Sequence, residues 1–238
     1  MFSEFAHRSY ELERIDTGQY TPEEYDQFLA DIRQVNRFAG DNWTLRATLF
    51  REIERADLPE FSVLDLGAGS GELLRTCAEF GRKTNRRARL YGLELSERSS
   101  RAINEESSDY HEIFPVRGNA LDLPFEENSF DYVICSLFTH HFLEKDIESI
   151  LSGMARLSRR KIFVIDLHRH PAASFLYKIF CSVFVKGILV KTDGALSIKR
   201  GFKPSELESL ARKINLVSVR VERHFPYRLV LEADAYRS

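Results

Sequence analysis

Cysteine is scarce in this sequence: Cys77, Cys135 and Cys181 are three residues in 238, and no two of them form a Cys-x-x-Cys pair. This argues against a disulfide framework or a zinc ribbon and is typical of buried thiols in a reducing compartment. An excess of charge of one sign is also missing, since 34 basic and 36 acidic residues leave a net charge of −2. No nucleic-acid partner is therefore expected.

The sequence predicts neither a secretory leader nor a flexible linker. Residues 1–16 carry acids and no apolar segment, so we expect no signal peptide and a cytoplasmic protein. No internal repeat and no Pro-, Gly- or Ser-rich stretch divides the chain. Its length suits one large domain.

What the sequence does contain is one organising stretch, residues 62–74. It begins with the apolar run Ser62–Leu66, which is typical of a parallel strand covered on both faces. Three glycines follow, Gly67, Gly69 and Gly71, where the backbone can turn tightly and approach a ligand. A strand, a glycine turn and a helix N-terminus together predict a nucleotide-type site.

Acidic residues around this turn indicate which nucleotide it binds. Glu72 stands where a dinucleotide-binding turn has its last glycine, and its carboxylate would repel a pyrophosphate. Asp65, near the end of the strand, favours a ligand with ammonium and sulfonium groups. Glu94 ends the next predicted strand, about twenty residues past the turn, where an acid can accept hydrogen bonds from both ribose hydroxyls.

At this point the sequence resembles the class I S-adenosylmethionine-dependent methyltransferases, whose first motif is a strand ending in Asp/Glu-x-Gly-x-Gly-x-Gly. Asp65 and the three glycines match that motif in full, and the resemblance extends from about Phe61 to Leu167. The sequence looks most similar to ubiquinone/menaquinone C-methyltransferases and small-molecule O-methyltransferases, and more weakly to methyltransferases encoded beside type III polyketide synthases.

The resemblance implies an α/β fold: a Rossmann-like, seven-stranded methyltransferase sheet with helices on both faces and an N-terminal helical cap. The expected divisions of this single domain are a helical cap (1–58), a cofactor-binding core (59–170), a helical lid or insertion (171–200), and a closing helix with antiparallel strands (201–238).

The resemblance also implies S-adenosylmethionine as the cofactor. In relatives the residue matching Asn119 is usually Asp and accepts a hydrogen bond from the adenine amino group; the amide oxygen of Asn119 can still accept one. The full predicted cofactor-binding set is Asp65, Gly67, Ala68, Gly69, Gly71, Glu94, Leu95, Asn119, Ala120, Leu121, Ser136, Leu137 and Arg37.

Three histidines follow the ends of predicted strands. His140 and His141 come after the fourth strand, Phe130–Ser136, and His168 comes after the fifth. Because ligands of open α/β sheets bind at the carboxyl ends of strands, these histidines are the candidate catalytic bases. The alternative, a hydrogen-bonded histidine that orders the loop, stays open. An adjacent His pair matches no zincin spacing, so no metal is predicted.

Residues 172–190 carry two adjacent apolar stripes at four-residue spacing and a polar stripe on the other side, which predicts one wide-faced amphipathic helix. Three interpretations stay open for this helix: core, lid over an apolar substrate, or a membrane interface. Lys191–Gly194 is predicted to be a turn after it.

Two function classes remain. The first is an enzyme that transfers a methyl group to a hydroxyl oxygen or activated carbon of an apolar small molecule, expected to be aromatic. The alternative is a non-catalytic S-adenosylmethionine-binding or scaffold protein. A hydrophobic small-molecule acceptor is the expected partner, and contact with a membrane is left open without being expected. The oligomeric state is not predicted.

Overall fold

The computed structural model describes residues 3–38 and 40–236. In that part of the chain one sheet contains seven strands: β1 Glu60–Leu66, β2 Arg87–Glu94, β3 Ile113–Arg117, β4 Phe130–Ser136, β5 Ser158–Leu167, β6 Val217–His224 and β7 Arg228–Asp234. The order is β3-β2-β1-β4-β5-β7-β6, and β7 is antiparallel to both neighbours. The remaining pairs are parallel, so the predicted Rossmann-like methyltransferase sheet is confirmed.

Helices cover both faces of this sheet. They are α1 Arg14–Thr17, α2 Pro22–Phe38, α3 Asp41–Leu45, α4 Arg51–Arg55, α5 Glu72–Lys83, α6 Glu97–Glu106, α7 Glu144–Leu157, α8 Pro171–Phe184, α9 Ile188–Arg200 and α10 Pro204–Lys213. A π-helical segment, Arg46–Phe50, joins α3 to α4, and short 3₁₀ turns lie at Ser3–Phe5 and Thr139–His141.

The apolar run of β1 is buried on both faces because its side chains alternate between two hydrophobic cores. Val63 packs in a core with residues of α3 to α6, including Leu45 and Leu74. Leu64 and Leu66 pack in the other core, with residues of α7 and α10. This packing fixes the sheet between two helical layers. The carboxyl ends of β1, β2, β4 and β5 then lie along one edge.

The leading residues differ from the prediction of helices over 1–58. Residues 8–13, which we call the N-terminal strap, form no helix. The Ser9 N–H donates to the carbonyl of Lys199 at 3.1 Å, and the Arg8 guanidinium donates to the carbonyl of Arg200 at 2.9 Å. Because the end of α9 supplies these partners, the strap can lie extended across it.

The prediction of one helix over 172–190 is wrong, because the chain leaves the helix after Phe184 and re-enters at Ile188. The backbone N–H of Gly187, just before α9, donates to the carboxylate of Asp31 on α2 at 2.6 Å. An added Cβ on Gly187 would lie 2.8 Å from the same carboxylate. Contact with α2 therefore holds the break between the two helices.

The predicted turn at Lys191–Gly194 is also wrong, since these residues lie within α9. Asp193 is buried, and its carboxylate accepts the backbone N–H of Ile15 at 3.0 Å. Gly194 lets the ring of Tyr177 on α8 pass close to the backbone of α9. Both turn-forming residue types are thus used for tertiary contacts inside a helix.

One side of α8 faces solvent and carries large apolar side chains. We call this set the outer face of α8: Phe175, Leu176, Ile179, Val183 and Phe184. The opposite side packs inward through residues such as Ala173 and Cys181. The core-helix interpretation is therefore wrong for the outer face. Among the described helices, none has the length and apolar character needed to cross a membrane.

The Gly194→Ala substitution tests the packing of α8 on α9. Helix propensity alone would make alanine more stable than glycine by about 0.5–1 kcal/mol. In the structure the new Cβ would overlap the Tyr177 hydroxyl, which donates to the carbonyl of Val190 at 2.6 Å. We expect a loss of about 1–3 kcal/mol in the free energy of unfolding, measured by urea denaturation.

Gly153→Ala in α7 is the matched control for this prediction. Its new Cβ would meet only the end of the Leu123 side chain, which can move. This variant should be neutral or slightly stabilised. A Gly194→Ala protein as stable as the Gly153→Ala protein would contradict the described packing.

Candidate functional site

The glycine turn after β1 has the backbone that its sequence predicts. Gly67, Gly69 and Gly71 have φ values of 69°, 58° and 81°, in the left-handed region that favours glycine. An added Cβ on Gly67 would overlap the ring of Phe138, whereas nothing lies within 4 Å of the Cβ position of Gly69. Gly67 is thus required for packing, and the backbone of Gly69 is open to a ligand.

Glu94, at the end of β2, contacts this turn directly. Its Oε1 accepts the backbone N–H of Gly69 at 2.6 Å. Burial raises the pKa of Glu94, and the hydrogen bonds from the backbones of Gly69, Leu95 and Ser96 oppose that shift. The carboxylate therefore braces the turn. Its contact with ribose stays a prediction.

Two buried polar atoms lack a hydrogen-bond partner beside this turn: Oδ1 of Asp65 and Oγ of Ser136. They lie on the adjacent parallel strands β1 and β4, where Asp65 is paired in register with Ile134. Burial raises the pKa of Asp65 well above its usual value, and the charge of Glu94 adds to the shift. Among the described residues, neither Asp65 nor Glu94 forms an ion pair. This edge of the sheet therefore suits a cationic, hydrogen-bonding ligand.

Leu95, Asn119 and Leu121 follow β2 and β3 on the same edge of the sheet. The side chains of Leu95 and Leu121 are 68% and 44% exposed, which is more than is usual for large apolar residues. The Asn119 side-chain oxygen accepts the backbone N–H of Leu121 at 2.9 Å, so it already closes the local turn. The adenine contact of Asn119 stays a prediction.

Three further members of the predicted set have different environments. Ala68 packs against the core that contains Val63. Ala120 is buried in the other core, which contains Leu64. Arg37 belongs to α2, but its side chain lies outside the described residues.

Leu137, directly after β4, has φ = 51°, which is rare for a bulky residue that is not glycine. Its N–H donates to the carbonyl of Ile165 at 2.8 Å, so β5 holds it in this conformation. Strained backbone of this kind concentrates at ligand sites. After Leu137 the chain enters the 3₁₀ turn Thr139–His141, which carries the histidine pair.

His140 is almost completely buried and is held by Asp166 at the end of β5. Nδ1 of His140 lies 2.7 Å from Oδ1 of Asp166, and the Thr139 hydroxyl and the His140 N–H donate to Oδ2. Burial alone would raise the pKa of Asp166, but His140 and these hydrogen bonds hold it well below its usual value. The ionised carboxylate therefore fixes the ring, with Nδ1–H as the donor.

The second nitrogen of His140 faces the N-terminal strap. Nε2 lies 3.9 Å from Oε1 of Glu13, which is 3% exposed. Burial raises the pKa of Glu13. The strap and Asp166 thus occupy both sides of the His140 ring, which makes it less accessible to an acceptor than its neighbour His141.

His141 is partly exposed, and its Nδ1 lies 3.0 Å from Oδ1 of Asp16. Burial would lower the pKa of His141, but its hydrogen bond to the carboxylate of Asp16 and the charges of Glu13 and Asp16 raise it. Glu13, His140 and His141 each offer a ligand atom, and these atoms lie within 4.8 Å of one another.

Arg200, the last residue of α9, locks this cluster in place. Its guanidinium donates to the carbonyls of His140 at 3.0 Å, His141 at 2.7 Å and Glu11 at 2.6 Å. Sequence reasoning missed Glu13, Asp16 and Arg200, because they are distant in sequence from the histidine pair and belong to no local motif.

His168 is placed apart from this cluster. Its ring lies near those of His170 and Tyr227, with centroids 5.6 Å and 6.3 Å away. In the described part of the chain, no contact joins it to the histidine pair. Its pKa is lowered to about 4 by burial and by the charges of Arg223, His170 and Arg169. The catalytic role of His168 stays a prediction.

Comparison with known proteins places this edge of the sheet in context. A family model described as "Methyltransferase domain" matches residues 64–165. The chain is 37% identical over 156 residues to an uncharacterised methyltransferase of Synechocystis sp., covering 60% of this chain and 68% of the relative. It is 29% identical over 174 residues to a ubiquinone biosynthesis O-methyltransferase of Hahella chejuensis, covering 68% and 66%. The chain thus spans about two thirds of the length of these relatives.

Among solved structures, the magnesium protoporphyrin IX methyltransferase of Synechocystis PCC 6803, determined with bound SAH, is similar in fold. The TM-score is 0.57 at 17% identity, and the match covers 83% of this chain and 84% of that protein. At this level of identity the likeness concerns the fold.

The lowered pKa of His168 predicts part of the acid sensitivity of the fold. Its value falls from 6.5 to about 4 on folding, so between these values the unfolded chain binds the proton more readily. Stability is therefore lost as the pH falls from about 6.5 towards 4. We expect His168→Gln to lose less unfolding free energy than the wild type between about pH 7 and pH 5, measured by urea denaturation.

The control for this measurement is His111→Gln, which removes an exposed histidine. It should follow the wild-type pH dependence. If His168→Gln also follows it, His168 does not titrate abnormally in the folded protein.

Proposed function

The chain belongs to the class I S-adenosylmethionine-dependent methyltransferases, and from this premise we propose that it methylates an apolar small molecule, expected to be aromatic, on a hydroxyl oxygen or an activated carbon. The observation that carries the proposal is the pair of acidic side chains at an open glycine turn, the buried Asp65 and the half-buried Glu94, neither of which forms an ion pair among the described residues. A ligand with ammonium and sulfonium charges suits that pair better than one with phosphates.

The cofactor is S-adenosylmethionine, which when bound supplies an electrophilic methyl group for in-line displacement. We assign its binding to the predicted residues at and after the ends of β1, β2, β3 and β4, and to Arg37 of α2. Asp65 and Ser136 would accept or donate the hydrogen bonds that their buried atoms lack. Leu95 and Leu121 would pack against the flat adenine ring, since both are exposed.

Of the three candidate bases, we propose His141 for an acceptor that arrives protonated. It is partly exposed, and Asp16 orients its ring. Its raised pKa makes the ring a stronger proton acceptor. His140 would act as a positioning residue, because Asp166 and Glu13 lie on both sides of its ring.

An apolar acceptor is supported by the segment 171–200, for which we propose the lid role. α9 packs against the 3₁₀ turn that carries the histidine pair, and α8 packs on α9. The outer face of α8 exposes apolar surface to solvent, and an apolar ligand could cover this surface. The similarity to a protein named for ubiquinone biosynthesis supports an acceptor of this kind.

Gly69→Val tests cofactor binding. The position is open, but a branched side chain there would stand where a ligand approaches the backbone. We expect affinity for S-adenosylhomocysteine, measured by calorimetry, to fall by more than about tenfold, which corresponds to about 1.4 kcal/mol.

Gly18→Val is the matched control for this change. Gly18 has φ = 69° and, like Gly69, nothing within 4 Å of its Cβ position, so both variants bear the same kind of backbone strain. Gly18→Val should keep wild-type affinity. Equal affinity in both variants would remove the cofactor from the glycine turn.

Turnover of an apolar acceptor tests the lid. The assay follows transfer of the labelled methyl group to a panel of phenols and quinones. We expect Phe175→Ser and Val183→Ser to lower kcat/KM about tenfold for the most apolar acceptor, because each removes apolar area worth about 1.5–3 kcal/mol when covered. Since both residues are exposed, the melting temperature should change little.

Phe225→Ser serves as the control, because Phe225 is 78% exposed in the turn between β6 and β7. An equal loss of kcat/KM in this variant would argue against the lid. No methyl transfer to any member of the panel would contradict the proposed acceptor class, while binding of S-adenosylhomocysteine would separately report on the cofactor site.

A further inference from the structure

We propose that Glu13, His140 and His141 bind one divalent transition-metal cation, of which Zn²⁺ is the probe we would use. The three ligand atoms lie within 4.8 Å of one another. They come from the N-terminal strap and from the turn after β4. The site goes beyond the proposed function, because cofactor binding does not require it; while the ion is bound, His141 is a ligand and does not act as the base.

The spacing of the two buried ligands fits an ion better than a hydrogen bond. Nε2 of His140 and Oε1 of Glu13 are 3.9 Å apart, which is too long for a direct hydrogen bond. Bonds from zinc to a histidine nitrogen and to a carboxylate oxygen are each about 2.0–2.2 Å. A shared ion would therefore span this separation with small movements of either side chain.

Asp166 and Asp16 prepare the two histidines for such a role. Oδ1 of Asp166 lies 2.7 Å from Nδ1 of His140, and Nε2 of the same ring lies 3.9 Å from Oε1 of Glu13. Asp16 lies 3.0 Å from Nδ1 of His141. Metal-bound histidines commonly have their second nitrogen held by a carboxylate in this way.

The buried carboxylate of Glu13 also favours a cation in the cluster. Oε1 of Glu13 is buried and has no hydrogen-bond partner among the described residues. Nε2 of His140 faces this oxygen at 3.9 Å. Such an arrangement is costly unless a proton or a metal ion lies between the two atoms.

The nearby arginines donate no hydrogen bond to Oε1 of Glu13. The Nε atom of Arg200 is 3.7 Å from Oε1 of Glu13, but its hydrogen bond goes to the carbonyl of His140. Arg8 likewise donates to the carbonyls of His140 and Phe142. Oε1 of Glu13 is therefore left without a hydrogen bond, and a cation at this point would meet an unbonded carboxylate oxygen.

The donor set indicates the type of metal. Two imidazoles and one carboxylate suit Zn²⁺ and its transition-metal neighbours better than Mg²⁺ or Ca²⁺, which prefer all-oxygen ligands. Three protein ligands leave a coordination position open for water or a ligand oxygen. Its use to hold an acceptor oxygen would rest on the proposed function, whereas binding of the metal does not.

The test is titration of metal-free, tag-free protein with Zn²⁺, followed by calorimetry and by measurement of retained metal after gel filtration. We expect one equivalent to bind. Glu13→Gln, which is nearly isosteric, and His141→Asn should each weaken binding by more than tenfold. Asp16→Asn should weaken it less, within the 10- to 100-fold range typical of residues that orient a ligand.

The control is a His111→Asn/His170→Asn double variant, which removes two histidines outside the cluster. It should bind Zn²⁺ like the wild type. Retention of one tight site in both Glu13→Gln and His141→Asn, or no stoichiometric binding by the wild type, would overturn the proposal and leave a proton as the group shared by Glu13 and His140. S-adenosylhomocysteine affinity, measured in the same variants, separates this outcome from failure of the cofactor assignment.

Discussion

Four donors converge on the buried carboxylate of Asp166, and the arrangement of the acceptor side of the site depends on them. They are the Thr139 hydroxyl, the backbone N–H and Nδ1 of His140, and the N–H of Leu167, all within 2.6–3.1 Å. Without them an ionised carboxylate could not stay buried at the end of a central strand. The same bonds set the turn after β4 and the orientation of the His140 ring.

Arg200 extends this order to the start of the chain. Its side chain binds carbonyls of the histidine turn and of the N-terminal strap, so that one guanidinium joins segments from opposite ends of the sequence. Arg8 makes the reciprocal contact from the strap. Because buried backbone carbonyls need partners, the strap, the turn and the end of α9 are constrained together.

The sequence predicts the fourth strand and the glycine turn better than it predicts the segment after β5. The strand Phe130–Ser136 was predicted with its observed bounds, and the glycine turn has the left-handed backbone that its residues indicate. The helix after β5 was predicted as one piece, and Lys191–Gly194 as a turn, because Asp and Gly favour turns locally. Packing on Tyr177 and the bond to Ile15 override that preference.

The sequence by itself determined the sheet, the glycine turn and the family to which the chain belongs. The strands and the glycine turn depend on periodicity and on residues within one strand–turn–helix unit, so their pattern is visible in a short stretch. The seven-stranded arrangement followed from the resemblance to the family. Only the tertiary structure decided that Glu13 meets the histidine pair and that His168 does not. Residue spacing carries no information about such contacts, because they arise when strands and helices pack and bring distant segments to the same edge of the sheet.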